Sequence, residues 1–368
     1  VNDVKLKLRP GHKGGRDWMA DFGLRQLFWN VTYACNFRCQ VCFSSSGEPA
    51  PDELTTEEAK AMVRQAHESG VRDIVISGGE PFMRDDMVEI LAYMGGLGVT
   101  GRIASNGSLI DEALIQRLLD ETSVKSFQIS LDTLDRDLYE EVHGVPAEYL
   151  DRALDALRYI KAAGFHTTVS VRLTPRVIGG IPDLLDRAAE EGWATVTVHC
   201  PVCTGRSEGV WPEGADQIAA LEPVFEHFLG LSEHWVIETN TPWAKYHPLM
   251  RKLSKRTTVA HEGCGGGRWR LAIGASGWIS TCICLDLPAF RIANVRTDNI
   301  GEVFRDSRFA KLMRAPQEYG LCTDCPNVTT CGAGCRAAAY ALTGDPEGLD
   351  LSCPVRQARM RAAQGTPT

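Results

Sequence analysis

Residues 26–43 read QLFWNVTYACNFRCQVCF. From Leu27 to Tyr33 the run is mostly aromatic and β-branched, which is the composition of a strand. It leads directly into Cys35, Cys39 and Cys42, spaced CxxxCxxC. Three thiolates on one short loop can hold three irons of a cubane cluster and leave the fourth iron without a protein ligand. An open iron of that kind binds a small molecule directly. Zinc, the competing reading, recruits a fourth Cys or His close by, and this loop offers none.

Outward from that loop, short apolar runs alternate with amphipathic stretches as far as about residue 200. DIVISGGEP, GRIASNG, SFQISLD, TTVSVRLT and ATVTVHC read as strands, the first two running into turns. Between them TTEEAKAMVRQAHESG, DDMVEILAYMGG, DEALIQRLLDE, PAEYLDRALDALRYIKAAG and IPDLLDRAAEEG read as helices. Pro146 opens the longest of these and Gly164 closes it. Six βα-type repeats predict an α/β protein whose parallel sheet curves toward a barrel. The polar and glycine-rich motifs mostly fall just after strands, the end at which parallel βα folds carry their chemistry. The expected division is an N-terminal arm over 1–25, a barrel over 26–205, a connector over 206–260, a cysteine-dense domain over 261–355 and a tail over 356–368.

The chain has 368 residues, a formal net charge of −8 and 13 cysteines. That charge gives no reason to expect a nucleic-acid partner. No apolar run approaches the roughly 20 residues that span a bilayer, and residues 1–18 lack the apolar stretch of a secretory signal. An odd number of cysteines, grouped at ligand spacings in a large chain, argues against a disulfide framework and for metal or cluster binding in a reducing cytoplasm.

The N-terminal half resembles the radical S-adenosylmethionine (SAM) superfamily, whose signature is CxxxCxxC directly after the first strand of a partial (βα)6 barrel. That family usually has an aromatic residue before its third cysteine. This chain has Val41 there and Phe43 on the other side, and Phe43 is placed with the cofactor-binding residues. Ser77, Gly78, Gly79, Glu80 and Pro81 resemble the family's GGEP motif, whose backbone and carboxylate hold the methionine amino group. Ser105, Asn106 and Gly107 resemble its TNG turn. Ser130, Leu131 and Asp132 resemble its SLD motif near the ribose and methionine. Arg172 on the fifth strand is a candidate partner for the SAM carboxylate, which a fixed guanidinium suits. The resemblance implies reductive cleavage of SAM to a 5′-deoxyadenosyl radical that abstracts hydrogen from a substrate, with the electron supplied by a donor such as flavodoxin or ferredoxin.

A second cysteine field runs Cys264-x12-Gly277-x4-Cys282, then Cys322-x2-Cys325-x5-Cys331-x3-Cys335, then Cys353. It resembles the SPASM extension of radical SAM enzymes, which carries two auxiliary clusters, so the resemblance implies three 4Fe–4S clusters in all. Family precedent gives Cys322, Cys325, Cys331 and Cys353 to the distal cluster and Cys264, Cys282 and Cys335 to the proximal one. In some relatives the fourth proximal ligand is a cysteine a few residues after the first; here that stretch is GGGRWR, which leaves Cys284, an open iron or another group as alternatives. Cys200 and Cys203, just past the sixth strand, are candidate hydrogen-atom donors to a substrate radical; the alternative is an ordinary buried cysteine.

Auxiliary clusters beside the barrel suit net oxidation, in which a substrate radical gives up an electron and a proton. Asp286, Glu238, His199 and His247 are the candidate bases. Some SPASM dehydrogenases carry aspartate directly after the cysteine matching Cys282; Ile283 there disfavours a sulfatase-maturase role. Only some 25 residues precede the first strand, fewer than a leader-binding domain needs. The leading expectation is therefore oxidation or epimerisation of a small molecule such as a sugar, a cyclitol or another natural-product intermediate. Maturation of a ribosomally made peptide and decarboxylation of porphyrin side chains in haem biosynthesis are the alternatives, and a cluster-bearing redox sensor is the non-enzymatic one.

Overall fold

The computed structural model describes residues 23–199, 202, 204–207, 210, 219–230, 237–238, 264–345, 347–353 and 355–357. The N-terminal arm before residue 23, most of the expected connector and the tail after residue 357 lie outside them, as do Cys200, Cys203 and His247.

Seven parallel strands follow one another in spatial order: β1 (Gln26–Asn30), β2 (Asp73–Ser77), β3 (Thr100–Ser105), β4 (Ser126–Ser130), β5 (His166–Arg172), β6 (Thr195–His199) and β7 (Ile237–Glu238). The connecting helices are α1 (Thr56–Glu68), α2 (Met87–Gly96), α3 (Glu112–Glu121), α4 (Arg136–His143), α5 (Glu148–Ala162) and α6 (Ile181–Glu191). Local chemistry sets their ends. Thr55 and Glu58 close a capping box on α1, and the Asp111 and Asp135 side chains accept the backbone N–H of Leu114 and Leu138 at the starts of α3 and α4. Gly144, at φ +62°, ends α4 in the left-handed region that glycine tolerates.

Alternation along the strands divides the sheet into two faces. Leu27, Trp29, Ile74, Ile76, Phe127 and Ile129 are buried in one apolar core with helix residues such as Met62 and Leu157. The intervening positions are largely polar, including Asn30, Ser77, Gln128, Ser130, Ser170 and Arg172. A hydrophobic layer toward the helices and a polar concave face are what a barrel that holds a polar ligand requires.

Three findings go beyond the sequence reading. Helix α4 lies in the DRDLYEEVH stretch, between SFQISLD and the long helix. Strand β7 extends the parallel sheet within the expected connector. The C-terminal segment, in turn, joins the same sheet: β8 (Arg270–Ile273) pairs in parallel with β1, and β9 (Trp278–Ser280) and β10 (Ala293–Asn294) follow antiparallel. The cysteine-dense segment also has regular structure and apolar clusters of its own. Helices occupy Ile300–Asp306, Arg308–Arg314 and Arg336–Thr343, and two small apolar clusters form around Leu312, Met313 and Val328 and around Leu285, Phe290 and Ala337.

Candidate active site

The cysteine loop leaves β1 at the C-terminal end of the sheet and is tied down on three sides. An isolated bridge joins Ala34 to Gly47, and the Cys35 N–H donates to the Gly47 carbonyl at 2.9 Å. The Arg38 and Gln40 N–H groups donate to the His143 and Val142 carbonyls at the end of α4. From beyond β6, Arg206 donates from Nε to the Cys39 carbonyl at 2.7 Å and from a terminal nitrogen to the Ser46 carbonyl at 3.0 Å. Neither Arg206 nor His143 is legible as a site residue in sequence, because one reaches the loop from beyond β6 and the other from the end of α4.

The three thiols lie within electrostatic range of one another. Burial, and further down the Cys42 charge, push the Cys35 thiol up to about 11. Burial and then Asp132 push Cys39 higher still. Burial also acts on Cys42, but the Ser44 hydroxyl, the Ser46 N–H and Arg206 outweigh it and leave that thiol below its usual range. Three thiols crowded into a poorly solvated loop favour a bound electrophilic metal over free thiolates. Among the described residues no three ligating side chains close on one point at single-ion spacing; a cubane cluster holds its thiolates further apart than a single ion does.

The glycine turn after β2 packs directly on this loop. The Gly79 N–H donates to the Thr32 carbonyl at 2.7 Å and the Glu80 N–H to the Ala34 carbonyl at 2.8 Å. A Cβ on Gly79 would collide with the Ala34 carbonyl oxygen, and one on Gly78, at φ +130°, with that of Thr32. Only glycine permits that approach. Glu80 is fully buried and accepts from the Ser105 hydroxyl at 2.9 and 3.0 Å, the Asn106 N–H at 2.8 Å and the Phe82 N–H at 3.3 Å. Burial raises its pKa to about 7 despite these donors. No cation pairs with it among the described residues, so a buried, uncompensated carboxylate stands beside the thiol triad. That arrangement fits an incoming ammonium group. The Asn106 amide donates to Asn36 and the Asn36 amide to Ser108, which ties the cysteine loop to the turn after β3.

Asp132, buried after β4, accepts the Arg172 N–H and stands 3.6 Å from His143. Burial raises the Asp132 carboxyl and lowers His143, holding the pair toward neutrality. The Arg172 guanidinium lies 5.8 Å from the centroid of the Phe43 ring, so two of the expected SAM-binding residues meet at the rim. His199 pairs in register with Arg172. Among the described residues its Nε2 is buried without a hydrogen-bond partner, and burial, with Arg172 second, lowers its pKa to about 3. His199 is therefore neutral at working pH and an ineffective base.

In the C-terminal segment the cysteines fall into two neighbourhoods. The Cys284 thiol, hydrogen-bonded to Cys282, raises the latter well above its usual range, with burial second. Burial and then Cys282 raise Cys264, and burial, Asp350, Cys282 and Cys264 raise Cys335. The other group is Cys322, Cys325, Cys331 and Cys353. Burial pushes Cys331 up to about 12, with Cys353 and Cys322 among the further causes, and Cys325 and Cys353 act on Cys322. Asp286 accepts a hydrogen bond from the Tyr33 hydroxyl, in a corner where a Cβ on Gly274 would strike its carboxylate. Tyr33 is two residues from Cys35, so this contact joins the C-terminal segment to the first cysteine loop; nothing in the local sequence of either residue signals it. The β7 position of Glu238 is described, but not its side chain.

The radical SAM superfamily pattern matches residues 29–203, and that of the SPASM iron–sulfur cluster-binding domain matches residues 264–326. A mycofactocin maturase MftC from Mycobacterium ulcerans is 30% identical over 330 residues, covering 89% of this chain and 87% of its own length. The chain belongs to the radical SAM superfamily, in the group that carries a SPASM domain. It is a radical SAM enzyme. An AdoMet-dependent heme synthase from Oleidesulfovibrio alaskensis is 29% identical over 356 residues, covering 92% of this chain and 89% of its own length. Streptococcus suis SuiB, solved bound to the precursor peptide SuiA, shares the fold at a TM-score of 0.73 and 20% identity, over 90% of this chain and 76% of its own. No helix among the described residues is long and apolar enough to cross a membrane.

Proposed function

We propose that this radical SAM/SPASM enzyme oxidises a side chain of a ribosomally made peptide. The observation that supports the substrate class is the near full-length similarity to a peptide maturase. The sugar or cyclitol substrate expected from sequence gives way to the alternatives set beside it. Porphyrin side-chain decarboxylation is the second reading, and it rests on the similarity to a heme synthase over 92% of the chain.

When bound, an iron–sulfur cluster and SAM supply reductive cleavage of the S–C5′ bond and hence the power to abstract hydrogen from an unactivated carbon. In this reading Cys35, Cys39 and Cys42 hold that cluster. Glu80 accepts the methionine ammonium, Arg172 pairs with the methionine carboxylate, and Ser105, Asn106, Ser130 and Asp132 shape the pocket. Cys322, Cys325, Cys331 and Cys353 hold a distal auxiliary cluster. Cys264, Cys282 and Cys335 hold a proximal one, with Cys284 as fourth ligand because its thiol adjoins Cys282. A cluster held there would supply an acceptor for the electron that leaves the substrate. An external donor of the flavodoxin or ferredoxin type supplies the first electron.

The test has two stages. Anaerobic reconstitution is expected to give about twelve irons per chain. The loaded protein is then given SAM, a reductant and, in separate reactions, the precursor peptide encoded beside it or an iron porphyrin. A mass change in the peptide supports the proposal. A change in the porphyrin alone replaces it with the second reading.

A further inference from the structure

The two auxiliary cysteine groups share one buried carboxylate. Asp350 is 3% exposed. Its Oδ2 accepts the Cys335 N–H at 2.8 Å, and its Oδ1 accepts the N–H of Ser352 at 3.0 Å and the Ser352 hydroxyl. Gly334, at φ +83°, lies so close that a Cβ there would strike the carboxylate. The chain between Cys331 and Cys335 is thus folded onto Asp350, and glycine at 334 is the residue that allows it.

No Lys, Arg or His among the described residues stands within ion-pair distance of Asp350. The nearby guanidinium of Arg336, itself 3% exposed, instead donates to the Gly348 and Ala333 carbonyls. Among the described residues the carboxylate is thus held by N–H and O–H donors and not by a paired cation. Asp350 touches both groups: its carboxylate accepts the Cys335 N–H of one, and its backbone carbonyl accepts the Cys353 N–H of the other at 3.3 Å.

An added electron on an iron–sulfur cluster is disfavoured by nearby negative charge, and reduction potential follows net charge, hydrogen bonding and exposure. We propose that Asp350 is a positioning residue common to both auxiliary clusters, whose charge holds both at lower potential than their cysteine ligands alone would give. An electron taken from substrate is then readily passed onward rather than trapped. This rests on the two-cluster assignment given above.

The test compares the reconstituted full chain with its Asp350→Asn and Ser352→Ala variants by iron content and anaerobic potentiometric EPR titration. Asparagine keeps an acceptor and removes the charge. Serine removal takes away a hydrogen bond and keeps the charge. The expected result is full iron in both variants. In Asp350→Asn both auxiliary reduction equilibria shift at least tenfold toward the reduced form, about 59 mV for one electron, and in Ser352→Ala they shift less than threefold. Unmoved potentials in iron-replete Asp350→Asn would overturn the inference, as would a shift confined to one cluster. Loss of iron in Asp350→Asn alone would also overturn it, because the carboxylate would then only be holding the ligand loop. About four irons in the unaltered chain would sink the two-cluster assignment itself, an outcome separate from these.

Discussion

Glu80 concentrates the electrostatic tension of the site in one side chain. Its pKa is raised from 4.5 to about 7, chiefly by burial. A carboxyl raised on folding contributes stability that is fully present below its unfolded pKa and is lost as pH rises through the folded one. The unliganded protein should therefore lose about 3 kcal/mol from this group between roughly pH 4.5 and 7. SAM binding runs the other way, since an ammonium needs the ionised form. SAM affinity of the reconstituted enzyme should weaken about tenfold per pH unit below about 7, read by equilibrium dialysis. Glu80→Gln should flatten that profile and weaken binding about 10- to 100-fold at pH 8; a Gln variant with the original pH profile would remove Glu80 from SAM recognition. Gly79→Ala tests the neighbouring backbone. Its Cβ has no space against the Ala34 carbonyl, so a loss of about 3 kcal/mol or more and reduced iron retention are expected in chemical denaturation and iron assays. Residues such as Glu80, Asn106 and Asp132 could be read in advance because each follows a strand in a short motif. Arg206, His143 and Tyr33 could not, because their partners are set by how distant elements converge and not by neighbours in the chain.

At the level of elements, legibility followed length. Helices α1, α3, α5 and α6 run 10 to 15 residues with clear apolar faces and glycine or polar ends, so their periodicity is visible. The eight-residue α4 and the seven-residue C-terminal helices are too short to repeat a pattern. Strands β9 and β10, at three and two residues, show no alternation at all. The link between these parts is also local: Tyr33 on the first loop donates to Asp286 beyond β9. Tyr33→Phe leaves a largely buried carboxylate without that donor, with burial already raising its pKa. A cost of about 1–3 kcal/mol is expected, measured by urea denaturation of the iron-loaded protein; equal midpoints for the variant and the parent would show that Asp286 finds another donor.

For the molecule as a whole, the cysteine spacing was legible and the substrate was not. Spacing reports which thiols can share a cluster, whereas substrate choice depends on the shape of the barrel mouth, which no short motif encodes. The interleaved assignment predicts that Cys322→Ala lowers the iron content from about twelve to about eight per chain and leaves substrate-independent SAM cleavage intact. A fall to about four would mean that the two auxiliary sites assemble only together. The sequence also suggested two domains in series, and the shared sheet was invisible because β8 is a four-residue strand whose partner, β1, lies near the other end of the chain.

That pairing has a consequence for how the protein is made. Strand β1 is hydrogen-bonded on one side to β2 and on the other to β8. During translation the β2 side can close early, but the other edge stays bare until Arg270–Ile273 has left the ribosome. A bare parallel edge is a template for another chain, and so long a wait between partners slows folding. The nascent barrel is therefore most exposed to aggregation while its middle third is being synthesised, when a chaperone has most to protect.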